Sequence, residues 1–167
     1  MSEPPSTPHP DMPKSQSKTL SEIRRHASVL AQHVNDPLLH YLVVGRGLCR
    51  DLDTLLVLMV IVQRANRHPD FARLNPEDLA EGRIGQIPTL AVNLQSIADS
   101  TGIPRETVRR KVNDLVRMGW VSREGAMIRF TPKGYCAIGP TRDAAIRLTV
   151  SIADAVTRTL KAEAASE

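Results

Sequence analysis

Basic side chains are concentrated in one stretch of the sequence, residues 103–134. This stretch holds eight basic residues against three acidic ones, whereas the whole 167-residue chain has a net charge of +4. The charges outside the stretch therefore nearly cancel. Clustered guanidinium and ammonium groups pair with phosphates, because each of them neutralises one charge of a nucleic-acid backbone. The pattern predicts contact with a polyanion.

Residues 105–118 have the spacing of an amphipathic helix. Val108, Val112 and Leu115 stand at positions i, i+4 and i+7, which places them on one face of that helix. The other face carries hydrogen-bond donors, and the first turns of such a helix meet base edges and phosphates in a major groove. The side chains of this helix predicted to contact DNA are Arg105, Thr107, Arg109, Arg110, Lys111 and Asn113.

Two acidic residues interrupt the basic face of this helix. Glu106 precedes Arg109 by three residues and Arg110 by four, and Asp114 precedes Arg117 by three. Side chains at these spacings are neighbours on a helix surface. We therefore expect the two acids to pair within the helix rather than to take part in binding.

A tight turn is predicted immediately before this helix. Asn93 is a suitable N-cap for a short helix that ends near residue 100. Ala98 supplies a small residue where two helices touch, and Gly102 can adopt the positive φ that the turn requires. Pro104 suits the start of the next helix, where its missing N–H costs nothing. This is the arrangement of a helix-turn-helix.

A β-hairpin is predicted after Gly119. Residues 120–123 and 127–131 have the composition of two short strands around the turn at Glu124 and Gly125. Such a hairpin forms a wing. Trp120, Ile128 and Phe130 are expected to anchor it to the helices, and residues 90–92 to add a third small strand. Two wing residues are predicted to reach the DNA backbone or the minor groove: Arg123 and Arg129.

The flanking segments are predicted to support this unit. Residues 1–18 are rich in proline and are expected to be a disordered tail. A helix begins at Thr19, which has a capping-box partner in Glu22, and it ends at Asn35-Asp36-Pro37. Its apolar stripe either covers the core of its own chain or meets a second chain. The residues of this stripe are Leu20, Ile23, Ala27, Leu30 and Val34.

Further segments complete the predicted organisation. After a break at Gly45-Arg46-Gly47, Asp51 caps an almost entirely apolar helix that runs to Asn66, so residues 19–66 form the N-terminal core and dimerisation helices. Residues 67–89 are a connecting segment with one helical turn at 77–81, and residues 90–134 are the DNA-binding unit. Residues 139–163 form a dimerisation helix. Its apolar stripe consists of Ala145, Leu148, Ile152, Ala155, Val156 and Leu160.

The sequence lacks the residues that single-strand binding, catalysis or metal binding would require. The chain has five aromatic residues, which disfavours a base-stacking platform of the single-strand-binding type. It has no paired carboxylates and no nucleophile elbow, so it is not predicted to be an enzyme. His26, His33 and His40 recur every seven residues, but Pro37 separates the last two. No metal site and no cofactor are predicted.

The cysteines and the hydropathy pattern indicate a soluble cytoplasmic protein. Cys49 and Cys136 lie far apart, so both are predicted to be reduced, buried, structural thiols. An alternative for Cys49 is an oxidant sensor with a thiolate favoured by Arg46 or Arg50. The longest apolar run, residues 55–62, has eight residues, whereas a membrane-spanning helix needs about 20.

The segment 94–123, which reads LQSIADSTGIPRETVRRKVNDLVRMGWVSR, resembles the winged helix-turn-helix of bacterial transcriptional regulators. With the following IRFTPKG and a long final helix, its plan is similar to the MarR type, although the GntR, IclR and Crp types share a similar local motif. The resemblance implies a mainly α-helical fold with a small β-hairpin wing, in which dimerisation helices flank the winged helix-turn-helix domain.

The same resemblance implies a function. It indicates a homodimeric regulator, by analogy a repressor, that binds a palindromic site in double-stranded DNA. Half-sites would lie about one turn of DNA apart, roughly 34 Å. A small-molecule effector would occupy a cleft lined by parts of residues 38–62. The alternative is a winged-helix adaptor that binds proteins and does not touch DNA.

Overall fold

The computed structural model describes residues 23–81 and 83–164. These residues are mostly helical, with one two-stranded antiparallel hairpin, which confirms the predicted fold class. They pack as two compact units, one formed by the described residues within 39–146 and the other by residues 23–38 together with 147–164. The elements are α1 (Ala27–Cys49), α2 (Leu52–Asn66), a 3-10 helix (Phe71–Arg73), α3 (Pro76–Ala80), α4 (Leu94–Thr101), α5 (Arg105–Met118), β1 (Val121–Glu124), β2 (Met127–Phe130), α6 (Pro132–Ala137) and α7 (Gly139–Ala164).

The core of the unit 39–146 is built around α2. This helix packs against α4, α5 and β2, and its residues Val57 and Ile61 are completely buried. The sequence predicts burial on nearly all sides of α2, but one side stays exposed because nothing in the described chain covers it. That side carries Leu52, Leu56 and Met59.

Helix α1 does not end where the sequence predicts. It runs through Pro37 to Cys49, although a proline removes one helical hydrogen bond and leaves the carbonyl four residues earlier without its usual donor. That carbonyl belongs to His33, and the Ser151 hydroxyl donates to it at 2.9 Å. The predicted stop at Asn35-Asp36-Pro37 is therefore wrong: another helix supplies the missing donor.

The predicted break at Gly45-Arg46-Gly47 is also wrong, because all three residues lie within α1. Gly45 is buried, and a Cβ atom placed there would come within 2.6 Å of the Leu55 side chain. The glycine thus permits close packing of α1 against α2. Asp51 caps α2 as predicted, and α2 ends at Asn66.

The second unit consists of the first part of α1 and the later part of α7. Leu30 of α1 and Ala155 of α7 are buried within the chain itself. Of the other described residues of the predicted N-terminal stripe, Ile23 and Val34 are partly buried and Ala27 is exposed. The predicted tail at residues 1–18 and the predicted Thr19–Glu22 capping box lie outside the described residues.

The connection between α2 and α4 contains the 3-10 helix and α3, which lies at the predicted helical turn. Residues 90–92 do not form the expected third strand. The Leu90 N–H donates to the carbonyl of Arg64 at 3.1 Å, so it is not available to pair with the wing. One backbone hydrogen bond joins residues 90–92 to the wing in the described chain: the Ile128 N–H donates to the Val92 carbonyl at 3.0 Å.

The two cysteines differ in their surroundings. Cys49 is buried, with 3% of its surface exposed, and this burial, together with the charge of Asp51, raises the pKa of its thiol to about 11. These surroundings agree with the prediction that Cys49 is a buried structural thiol. The prediction that Cys136 is buried is wrong, because it lies exposed on the short helix α6.

Across residues 23–81 and 83–164, no helix combines the length and the apolar character that crossing a bilayer requires. Within the same residues, no three His, Cys, Asp or Glu side chains are grouped as metal ligands would be.

Candidate nucleic-acid interface

The first helix of the helix-turn-helix is α4, and its start is fixed by a reciprocal cap. The Asn93 side chain accepts a hydrogen bond from the Ser96 N–H at 2.9 Å, and the Ser96 hydroxyl accepts one from the Asn93 N–H at 3.1 Å. These bonds satisfy backbone donors that would otherwise lack a partner. The cap therefore fixes where α4 begins.

The turn after α4 has the geometry that the sequence predicts. Gly102 adopts φ = +70° and its N–H donates to the Ala98 carbonyl at 2.8 Å. A residue with a Cβ atom is strained in this conformation. Pro104 follows in an extended conformation, with ψ = 135°, and α5 begins at the next residue.

Helix α5 presents its apolar face to the core and a polar face to the outside. Val108, Val112 and Leu115 are completely buried, as their spacing predicts. They fix how far the helix is rotated about its axis, and hence which side chains face outward. The helix ends at Gly119, which has φ = +74°.

The outward face brings together four of the six residues predicted on α5 to contact DNA. Thr107, Arg109, Arg110 and Asn113 line one shallow depression, which Glu106 and Arg117 also border. Arg105 is exposed in the first turn. Within the described chain, neither Arg105 nor Arg110 makes a side-chain hydrogen bond or ion pair, so their donors face solvent.

The expected pairs within α5 are present. Glu106 accepts from Arg109, whose Nε lies 2.9 Å from Oε2, and Asp114 pairs with Arg117. The hydrogen bond from Arg109 lowers the pKa of Glu106, and the same bond raises the pKa of Arg109. Exposed pairs of this kind contribute little free energy, so the arginines can exchange the carboxylates for phosphates.

Lys111 is placed differently from the other predicted contacts. Its Nζ lies 2.6 Å from Oδ2 of Asp51, the N-cap of α2, and only 13% of its side chain is exposed. Burial raises the pKa of Asp51, but the hydrogen bonds from Lys111 and Thr54 outweigh that effect and lower the pKa overall. Lys111 thus joins two helices at the edge of the exposed face.

The wing is a hairpin of two four-residue strands. Val121 pairs with Phe130 and Glu124 with Met127, and Gly125 in the turn has φ = +60°. Arg123 lies exposed beside this turn, where its Nε donates to the Gly125 carbonyl at 3.0 Å. Arg129 is half-buried, and its Nε donates to Glu124 at 3.1 Å. Arg123 therefore lies next to the tip of the hairpin, whereas Arg129 pairs with Ser122 nearer the base and reaches the tip with its side chain.

The base of the wing is held by a helix that the sequence reasoning missed. Helix α6 begins after Thr131, whose Oγ1 accepts from the Gly134 N–H at 3.0 Å and lies 2.7 Å from the Gly119 carbonyl oxygen. Gly134 is buried so tightly that a Cβ atom would overlap the carbonyl of Trp120. The signal in the sequence was Thr131-Pro132, an N-cap followed by a proline at the first helical position.

A comparison with protein-family models finds a match to a helix-turn-helix domain. The IclR helix-turn-helix domain matches residues 88–125, which include α4, the Gly102 turn, α5 and β1. The matched segment is less than a quarter of the 167-residue chain. Neither a curated protein nor a solved structure matches the chain.

The geometry and the family match agree on the same segment. Both assign to it a helix-turn-helix, two helices joined at Gly102. The structure adds the hairpin that follows, whose second strand lies beyond the matched residues. The match does not single out the MarR type. Together, the fold and the match support a DNA-binding transcription regulator with a winged helix-turn-helix domain.

Proposed function

We propose that this protein is a sequence-specific regulator of transcription that places α5 in the major groove of double-stranded DNA. The single observation that carries the proposal is the outward face of α5, where donors with different geometries stand side by side above a fixed apolar face. Guanidinium groups read guanine edges or pair with phosphates, and an asparagine reads adenine. The proposed contacts on this helix are Arg105, Thr107, Arg109, Arg110 and Asn113.

The wing supplies a second, less specific contact in this proposal. Arg123 and Arg129 approach the phosphate backbone or the minor groove next to the segment that α5 reads. Such contacts position a protein on the duplex without reading sequence. The Arg129 side chain exchanges Glu124 for phosphate as the complex forms.

We further propose that two copies bind together on a palindromic site. Leu39 and Val43 are four residues apart on α1 and expose 62% and 59% of their surfaces. Helix α7 exposes Ile146 and Val150, which are also four residues apart. Exposed apolar pairs on successive turns favour helix–helix association, and two-fold association doubles the short sequence that one α5 can read.

The MarR-type plan and repression are parts of the same proposal. Helices that precede the winged domain and a long helix that follows it support the MarR-type order of elements. Repression requires only that a bound dimer occupy a promoter, whereas activation also requires a productive contact with the polymerase.

A cavity of about 830 Å³ in the unit 39–146 supports the proposed effector. Its walls are mainly apolar, and they include Leu55 of α2 and Thr101 at the end of α4. Arg142, which stacks on Tyr135 at 4.2 Å from the ring centroid, has no carboxylate partner in the described chain. An anion with an apolar body fits these features. Decanoate should bind more tightly than decan-1-ol, and Arg142→Gln should abolish the difference.

Selection from a pool of random duplexes tests the main proposal most broadly. The purified chain should enrich a palindrome with half-sites about one helical turn apart. Enrichment of no sequence, combined with a stoichiometric complex with a purified protein partner, would instead favour the adaptor function. A single non-repeated site would contradict two-fold binding while leaving sequence recognition intact.

A further inference from the structure

Lys111 makes the one ion pair between α2 and the DNA-reading helix that the described residues contain. Its partner, Asp51, lies 60 positions earlier in the sequence and accepts from Lys111 Nζ at 2.6 Å. Asp51 also accepts from the Thr54 N–H at 2.8 Å and from the Thr54 hydroxyl at 2.9 Å. The carboxylate is therefore fixed by the first turn of α2, and it holds the lysine in one place.

The position of Lys111 on α5 allows this ion pair to oppose rotation of the helix. Successive helical residues are about 100° apart, so Lys111 lies between the outward Arg110 and the buried Val112. A link at this edge resists rotation of α5 about its own axis. The buried valines and leucine fix the apolar side, but smooth aliphatic surfaces permit small rotations that a directional charged hydrogen bond opposes.

The alternative role for Lys111 is a direct phosphate contact, as its place in the basic run of the sequence predicts. That role requires the ammonium group to leave Asp51 and cross to the outward face. Arg105 and Arg110 already present donors there without a partner to break. With 13% of its side chain exposed, Lys111 is poorly placed to compete with them.

We propose that Lys111 is a positioning residue, which through Asp51 sets the rotation of α5 and thereby the affinity for DNA, without itself contacting a phosphate. This inference rests on the proposed function. If Lys111 positions α5, loss of Asp51 should weaken DNA binding. If Lys111 instead contacts a phosphate, loss of Asp51 should release the lysine and strengthen binding.

The test compares Lys111→Met and Asp51→Asn in the full chain. Methionine keeps the length of the apolar stem, and asparagine keeps the oxygen that accepts from the Thr54 N–H. Each substitution should weaken binding to the selected duplex about tenfold, and the double variant should be no weaker than either single one. Lys111→Arg, which keeps the charge, should bind within about threefold of the wild type.

The salt dependence separates positioning from phosphate contact. The slope of log K against log[salt] is negative, and each lost phosphate contact reduces its magnitude by about 0.9 per subunit. Neither Lys111→Met nor Asp51→Asn should change this magnitude. Arg110→Met is the matched comparison and should reduce it. Circular dichroism at the assay temperature verifies that every variant is folded.

Three results would overturn the inference. If Asp51→Asn tightens binding, the released lysine contacts phosphate. If Lys111→Met reduces the magnitude of the slope as Arg110→Met does, the same conclusion follows. If both variants are folded and bind as the wild type does, the pair has no role in binding. Failure of the wild-type chain to bind any duplex would instead remove the proposed function, and this inference with it.

Discussion

The His33 carbonyl accepts a hydrogen bond from the Ser151 hydroxyl, with an O···O distance of 2.9 Å. His33 is the residue four positions before Pro37, so its carbonyl is the one that the proline leaves without a helical donor. The serine comes from a different helix, α7, 118 positions later in the sequence. The hydrogen bond that Pro37 removes from α1 is thus replaced by one from α7.

Replacement of Ser151 by alanine should destabilise the protein by about 1 kcal/mol, because the His33 carbonyl loses its donor. The cost should shrink in a Pro37→Ala background, since the new alanine N–H can donate to the same carbonyl. Urea unfolding of the two single variants and the double variant measures this coupling. Equal costs of Ser151→Ala in both backgrounds would show that the hydroxyl does not compensate for the proline.

Gly134→Ala should lower the free energy of unfolding by about 2–3 kcal/mol, because the added methyl group overlaps the carbonyl of Trp120 at the base of the wing. Gly47→Ala is the control. Gly47 also lies in a helix but has open space where the Cβ would be, so alanine there should stabilise by about 0.5–1 kcal/mol. Thermal and urea unfolding both report the difference, and similar effects of the two substitutions would contradict the packing at Gly134.

The stability provided by Asp51 should depend on pH. Its pKa is lowered in the folded protein, despite the opposing effect of burial, by hydrogen bonds from Lys111 and Thr54. The charged carboxylate therefore stabilises the fold fully above the unfolded-state pKa, about 4, and this contribution is lost as the pH falls through the lower folded-state value. Asp51→Asn should cost about 1 kcal/mol at pH 7, a value reduced by partial exposure.

Urea unfolding between pH 7 and pH 3 measures that dependence. The gap between wild type and Asp51→Asn should stay constant down to about pH 5 and close toward pH 3. Asp53→Asn, in the same first turn of α2, is the control, because Asp53 makes no ion pair in the described chain and its gap should be smaller. A gap for Asp51→Asn that widens on acidification would contradict the assigned hydrogen bonds.

Iodoacetamide at pH 8 should add one group per native chain, on Cys136. Cys49 is buried, and with a pKa of about 11 only on the order of one thiol in a thousand is ionised at that pH. Unfolding in guanidinium should make both residues reactive. Mass spectrometry of peptides identifies the modified residue, and early alkylation of Cys49 would contradict its position.

The sequence was informative wherever local chemistry determined the structure. Gly102 lies in the turn that it was predicted to form, because few other residues tolerate its conformation. The spacing of Val108, Val112 and Leu115 defined the buried face of α5, because three residues on one face require a common environment. These features depend on neighbours close in the chain, which a sequence displays directly.

The errors arose where distant residues intervene. No local pattern shows that Ser151 supplies a donor for His33, so the sequence alone predicts that a helix ends at Pro37. The ion pair between Lys111 and Asp51 is likewise not visible in the sequence, because its partners lie 60 positions apart; the DNA contact predicted for Lys111 stays a prediction. The match of the IclR helix-turn-helix domain supports the helix-turn-helix within residues 88–125 but does not cover the flanking helices, which are interpreted from their packing.

The salt dependence of DNA affinity, measured with the full chain on its selected duplex, tests the central claim most directly. Arg110→Gln should weaken binding and reduce the magnitude of the negative slope of log K against log[salt] by about 0.9 for each subunit in contact. Arg158→Gln, an equal change in charge on α7, should leave both quantities near the wild-type values. Wild-type affinity and slope for Arg110→Gln, or equal losses for the two variants, would contradict a DNA contact by the outward face of α5.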